Sequence, residues 1–197
     1  MGRPKKYDRS KVLEKAMKLF WRKGYEGTHL QELVKVTQVN RFGLYKEFGG
    51  KAGLFDKAME LYLSRLSKTI TPLLREPKGI ENVLAYFDEL EMDFFLHGCF
   101  MTNSLTEKNV IEKRTYQKMM KTLDGFQGLL RENLLAAQKT GNLNSNIDLD
   151  GLIKFLTVFD LGIVVHGINA PPGDKDEIVS QLKLFLSTIT SSFSSKN

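Results

Sequence analysis

Apolar residues recur every three or four positions through nearly the whole chain, and no stretch alternates like a half-buried strand. Val12, Leu13, Ala16, Met17, Leu19 and Phe20 make one stripe of a first helix, with Asp8 or Ser10 as its N-cap and Gly24 just past its end. Thr28 and Gln31 have the spacing of a capping box, which starts a second, short helix with Leu30, Leu33 and Val34 on its inner face. Asn40 caps a third. Gly50 or a neighbour begins a fourth, with Leu54, Phe55, Ala58, Met59, Tyr62 and Leu66 along one side.

Pro72 and the stretch REPKG at 75–79 break this pattern. Beyond them Ile80, Val83, Leu84, Phe87, Leu90, Phe94 and Phe95 predict a fifth helix that ends near His97 and Gly98. A short helix from Cys99 to about Glu107 and a long one from about Asn109 to Lys139 follow. Two apolar helices, at about 148–169 and 174–193, close an all-α chain of about nine helices.

Three short helices that share apolar positions, the second and third joined by about four residues, describe a helix-turn-helix unit. The expected division is an N-terminal arm and DNA-binding domain at 1–50, then a larger helical remainder at 51–197. If Leu44, Tyr45 and Phe48 face inward or along the flank of the third helix, its repeat leaves Arg41, Phe42 and Lys46 pointing away from the core. Such residues would meet the major groove, and Gly43, lacking a side chain, lets the backbone approach DNA closely. Gly49, Gly50 and Lys51 are expected to offer free amides and an ammonium to a phosphate at the start of the fourth helix. Arg3, Lys5 and Lys6 form a basic arm suited to an adjacent minor groove or to phosphates.

Charge supports the same division. Residues 1–68 hold 16 Lys and Arg against 7 Asp and Glu, whereas the remainder of the chain is net acidic. An anionic partner is thus met by the first third. At 42% hydrophobic the 197 residues are enough to bury a core. No apolar run reaches the roughly 20 residues of a bilayer span, and the N-terminal charges precede no apolar segment, so a cytoplasmic protein is expected. The single cysteine, Cys99, excludes an intrachain disulfide and a cysteine-only zinc site, and nothing in the spacing calls for a cofactor or a metal.

The segments KGYEGTHL, TQVN and LYKEFGGKAGLF, with the basic arm GRPKK, resemble the tetracycline-repressor (TetR) family of bacterial transcription regulators. The resemblance covers about residues 8–55 by motif and the rest by helix number and length. It implies that Thr28 is a cap and phosphate ligand, that Arg41, Phe42 and Gly43 face the bases, and that Tyr45 and Lys51 hold phosphates. It further implies that 51–197 form a connecting helix with a ligand-binding and dimerisation domain, in a homodimer that reads a palindromic operator and leaves it on binding a small effector. Two heads about 34–36 Å apart would meet successive major-groove turns. Three features depart from the family pattern. Thr37-Gln38-Val39-Asn40 stands where Ala-Gly-Val-Ser is usual, so Gln38 must take a left-handed backbone or the turn must differ. Glu47 stands where Tyr or His is frequent, and Phe42 offers a thymine methyl an apolar contact rather than a bidentate hydrogen bond.

HGCFMTNSLTE, at 97–107, is similar to a Gly-Cys-x-x-x-Asn-x-x-x-Glu stretch of one branch of that family. Cys99, Asn103 and Glu107 share a helical face, either as a ligand-facing polar edge with a reactive thiol or as a buried cysteine with inter-helix ties. The aromatic and Met residues dense between 86 and 126 serve a core or an apolar effector pocket. Glu91 and Asp160, carboxylates amid apolar neighbours, must be paired, exposed or ligand-facing. The effector-binding candidates are therefore Phe87, Glu91, Phe94, Cys99, Asn103, Met120, Phe159 and Asp160. Leu152, Ile153, Leu156, Phe159, Ile163, Val164, Ile178, Leu182, Phe185, Leu186 and Ile189 either pair with a two-fold copy or cover one subunit. An all-helical enzyme is disfavoured because His29, His97 and His166 are isolated and no phosphate-cradling loop follows a strand. A ligand-independent architectural DNA binder is the other alternative.

Overall fold

The computed structural model describes residues 7–89, 98–168, 171 and 173–190. Through these run ten helices and no strand: α1 (Arg9–Lys23), α2 (Leu30–Thr37), α3 (Arg41–Phe48), α4 (Gly50–Leu66), α5 (Thr71–Leu74), α6 (Ile80–Asp88), α7 (Phe100–Leu105), α8 (Lys113–Lys139), α9 (Leu149–Gly167) and α10 (Asp174–Thr190). The all-α class is as expected. The helix missed is α5, a single turn that carries Pro72 near its start, where proline's fixed φ and absent N–H are tolerated; Pro72 opens a helix rather than breaking one. The long helix begins at Lys113, later than Asn109, because Val110 and Ile111 donate their amides to the Glu107 carbonyl in a turn. Among the described residues no helix is long and apolar enough to cross a membrane.

Two compact units divide the described chain. One joins the residues through Arg65 to Cys99–Met120; the other joins those of Leu66–Gly98 to those from Lys121 onward. These packing units cut the chain elsewhere than residue 50, since α4, α7 and the first turns of α8 pack with α1–α3.

In the first unit Asp8 accepts the Ser10 amide at 2.8 Å and so caps α1, and Gly24, at φ 73°, ends it. The cap of α2 lies one residue later than expected. His29 occupies it, and Glu32 Oε2 accepts the His29 amide at 3.0 Å, whereas Thr28 is buried and donates its hydroxyl to the Gly24 carbonyl at 2.7 Å. Gln38 adopts the left-handed backbone at φ 61°, and its Nε2 donates to the Lys35 carbonyl at 2.6 Å. Phe20 and Phe55, both fully buried, meet edge to face at 5.0 Å. Tyr25, Tyr62 and Phe100 extend this aromatic core through contacts at 4.9–5.5 Å, each worth about 0.5–1.5 kcal/mol beyond the area it buries. Asp56, 2% exposed, accepts from Thr115 Oγ1 at 2.8 Å and from Lys118 Nζ at 2.7 Å, tying α4 to α8. Burial opposes its ionisation, but Lys118, Thr115 and Arg114 outweigh that and hold the carboxyl below its ordinary range.

The second unit is organised around Asn133. It accepts the Gly79 amide and Asn82 Nδ2 through Oδ1 and donates to the carbonyls of Leu73 and Leu129, so the α5–α6 connection is bonded to α8. Of the residues expected to pair either with a two-fold copy or within the subunit, Leu152, Ile153, Leu156, Ile163, Val164, Leu182 and Leu186 are buried inside the unit. The opposite faces stay open: Phe155, Val158 and Val165 of α9 and Leu184 and Phe185 of α10 are all more than 40% exposed. Helices this apolar all round have one covered stripe and one bare one, and the sequence did not say which was which.

Candidate nucleic-acid interface

α3 is eight residues long and turns Leu44 and Phe48 into the core, at 0% and 7% exposure. The helical repeat sends Arg41, Phe42, Tyr45 and Lys46 the other way, with Phe42 75% and Tyr45 51% exposed. Asn40 fixes the start of the helix by accepting the Gly43 amide at 2.8 Å, a cap worth about 1 kcal/mol. A Cβ on Gly43 would lie 2.8 Å from Val39 Cγ1 and 3.2 Å from Asn40 Oδ1. The turn itself therefore requires a glycine there, besides any close approach to DNA.

Tyr45 is the flank residue that the sequence left undecided. Its ring lies against Gly50, where a Cβ would come within 2.8 Å of Cε1, and the Arg41 guanidinium stands 5.8 Å from the ring centroid. The exposed phenol and the guanidinium are thus held side by side. Beside them, His29, Leu30, Gln31 and Val34 of the α2 start join Arg41 around a groove of about 800 Å³. Sequence reasoning missed His29 and Gln31. The signal was present in Glu32, three residues after His29, which marks the cap that was assigned to Thr28.

Three expected phosphate groups are otherwise engaged. Thr28, 0% exposed and bonded to Gly24, is not at the surface. The Gly49 amide is not free, because it closes α3 by donating to the Tyr45 carbonyl at 2.9 Å. Lys51 turns its ammonium onto the Tyr25 ring, 4.4 Å from the centroid, and towards the Glu26 carbonyl at 3.5 Å. Desolvation there lowers its pKa, an effect that Glu107 and Glu26 oppose. Asn40, Arg41, Phe42, Gly43, Tyr45 and Lys46 remain together on one short helix. Arg3, Lys5 and Lys6 lie outside the described residues.

The described effector candidates are divided between the two units. Phe87 is buried, and meets Phe159 edge to face at 5.4 Å. Next to them Asp160 Oδ1 accepts the Tyr86 phenol at 2.7 Å, and Tyr86 also packs on Phe126 at 5.1 Å. Burial pushes the Asp160 carboxyl up to about 6, a rise that the Tyr86 hydrogen bond only partly offsets. Cys99, Asn103 and Met120 belong to the other unit. Cys99 is the buried N-cap of α7, and its Sγ accepts the Tyr62 hydroxyl at 3.1 Å. Glu91, Phe94 and His97 lie outside the described residues.

A trihelical head whose last helix closes the core with two residues and leaves a basic, aromatic outer face defines a DNA-binding protein of the helix-turn-helix type. Residues 12–58 match the family of bacterial regulatory proteins named tetR. The HTH-type transcriptional repressor ComR of Escherichia coli (strain K12) is 34% identical over 171 residues, 83% of this chain and 81% of its own. An uncharacterized HTH-type regulator of Bacillus subtilis (strain 168), YezE, is 27% identical across 96% of this chain and all of its own. Among solved structures, the TetR-family regulator CifR, in a cysteine mutant complexed with 26-base-pair operator DNA, superposes with a TM-score of 0.78 at 23% identity, covering 95% of this chain and 100% of that one. The chain belongs to the TetR family, and is accordingly a transcriptional regulator and not an enzyme.

Proposed function

We propose that the protein is a repressor that binds a palindromic operator as a homodimer and leaves it when a small apolar or aromatic effector binds. The observation that carries the reading is the outer face of α3, where a 75% exposed Phe42 stands next to exposed Arg41 on a helix capped by Asn40. An isolated aromatic at such exposure serves no core, whereas beside a cation it suits a thymine methyl and a guanine edge. Tyr45 and Lys46 would meet phosphates, and Arg3, Lys5 and Lys6 would reach the neighbouring minor groove or backbone. ComR is named a repressor, and CifR was solved on an operator; both support the same role here. The site of work would be the cytoplasm, where the DNA lies.

The dimer rests on the bare apolar stripes of α9 and α10. Phe155, Phe159, Leu182 and Phe185 line a groove of about 620 Å³ between these helices, and a second copy of the pair would close it as a four-helix interface. The effector reading rests on Phe87 and Phe159 with Asp160 and Tyr86, an aromatic cluster holding one polar pair that could orient a ligand. Glu91, Phe94, Cys99, Asn103 and Met120 are the further candidates. The ligand must favour a head arrangement that misfits the operator, since equal affinity for both states would shift nothing.

Selection of bound fragments from genomic DNA tests the reading. It should return a palindromic consensus whose binding the Arg41→Ala, Phe42→Ala double variant loses. Recovery of unrelated sequences, or an unchanged profile in that variant, refutes it.

A further inference from the structure

We infer that Glu107 is a positioning residue for operator recognition, acting through the loop that joins α1 to α2; this rests on the DNA-binding reading above. Oε2 of Glu107 accepts the Tyr25 amide at 2.7 Å, and Oε1 accepts the Glu26 amide at 2.9 Å, across some 80 residues of sequence. A carboxylate that takes two successive backbone amides forms charge-assisted bonds and fixes the plane of that loop. Gly24 makes room for it. A Cβ there would lie 2.8 Å from Oε1, and the backbone is left-handed at φ 73°, so both space and conformation call for glycine.

The loop is gripped from a second direction. Lys51, at the start of α4, stacks on Tyr25 and donates to the Glu26 carbonyl, and its ammonium is also attracted to Glu107. From the loop the constraint passes towards the interface by short covalent and hydrogen-bonded steps. Thr28 is bonded back to Gly24, and His29, the next residue, caps α2 and lines the groove beside Arg41. Glu107 itself follows α7, which Phe100 anchors edge-on against Phe55 and Tyr62. The carboxylate is therefore presented from a fixed support to a loop that would otherwise be steadied by Lys51 and Thr28. Both its oxygens are taken up by the loop amides, and as an anion in a basic head it weakens long-range attraction to phosphate. Its contribution to binding is geometrical.

That opposition of sign makes the test decisive. Wild type, Glu107→Gln, Glu107→Ala and the nearby control Glu112→Gln are compared for affinity to the selected operator and to an unrelated duplex. Hydrogen exchange of the Tyr25 and Glu26 amides is measured on the same proteins without DNA. Glu107→Gln keeps one accepting oxygen and the side-chain size; it should speed exchange at one or both amides and lower operator affinity about tenfold. Glu107→Ala should lower it further, while unrelated duplex is bound as well as or better than by wild type. Glu112→Gln removes a charge that also acts on the Tyr25 phenol but takes no bond from the loop amides; it should stay within about twofold of wild type for the operator. Operator affinity kept within about twofold in the Glu107 variants, or unchanged protection of both amides, overturns the inference. If Glu107→Ala does not fold, the Gln variant decides alone. Failure of the DNA reading would show in the wild-type protein itself, as the absence of any selected operator.

Discussion

Tyr86 donates its phenolic hydrogen to Oδ1 of Asp160 across 2.7 Å, joining α6 to α9 beside the Phe87–Phe159 contact. The pair makes a stability prediction with a definite sign. Asp160 has a folded pKa of about 6 against an ordinary 3.8, so the folded state holds its proton more tightly than the unfolded state does. Stability should therefore be greatest below about pH 4 as far as this group is concerned, fall as pH rises through about 6, and level off above, a penalty of roughly 2–3 kcal/mol. Asp160→Asn should abolish that slope and be the more stable protein at pH 7.5, as read from the difference between two denaturation series against pH. A wild-type minus variant difference independent of pH would refute the assignment.

Asp56 behaves in the opposite sense. Its folded pKa is lowered, so the stability it contributes is fully present above the unfolded value of 3.8 and is lost as pH falls through the folded one. Asp56→Ala leaves Thr115 and Lys118 without their shared acceptor, and should cost about 3 kcal/mol at pH 7 by urea denaturation. Glu60, which also accepts from Lys118, limits the loss.

Phe42 and Arg41 are predicted to separate stability from function. Replacing an exposed Phe42 by Ala should change stability by no more than about 0.5 kcal/mol, whereas operator affinity should fall at least about tenfold. Calorimetry and a binding isotherm on the same protein decide between this and a core role.

Gln38 is strained at φ 61° and recovers part of the cost through its bond to the Lys35 carbonyl. Gln38→Gly should stabilise the protein by roughly 0.5 kcal/mol, and the β-branched Gln38→Val should destabilise it by about 1–2 kcal/mol. Thermal midpoints would report both.

Phe155 and Phe185 meet at 5.2 Å with their rings tilted by 47° on the open face of α9 and α10. The double substitution Phe155→Glu, Phe185→Glu should convert a dimer to a monomer in sedimentation while leaving the helical content unchanged, and operator affinity should drop with the loss of the second head.

What the sequence determined by itself was local. Helix order, the caps at Asp8 and Asn40, and the outward face of α3 all follow from spacings of three or four residues, because side chains that close together are brought onto one face by the backbone repeat alone. The same short range misled at Thr28, where Thr-x-x-Gln imitated a box that His29 and Glu32 form.

Only the tertiary structure decided which stripe of α9 and α10 is covered, that Lys51 turns onto Tyr25, and that Glu107 reaches the loop after α1. Each outcome depends on partners tens of residues away in the chain, or on competition between two apolar faces of one helix. A periodicity of 3.6 residues names the faces of a helix; packing chooses among them, because burial is settled by what another segment brings into contact.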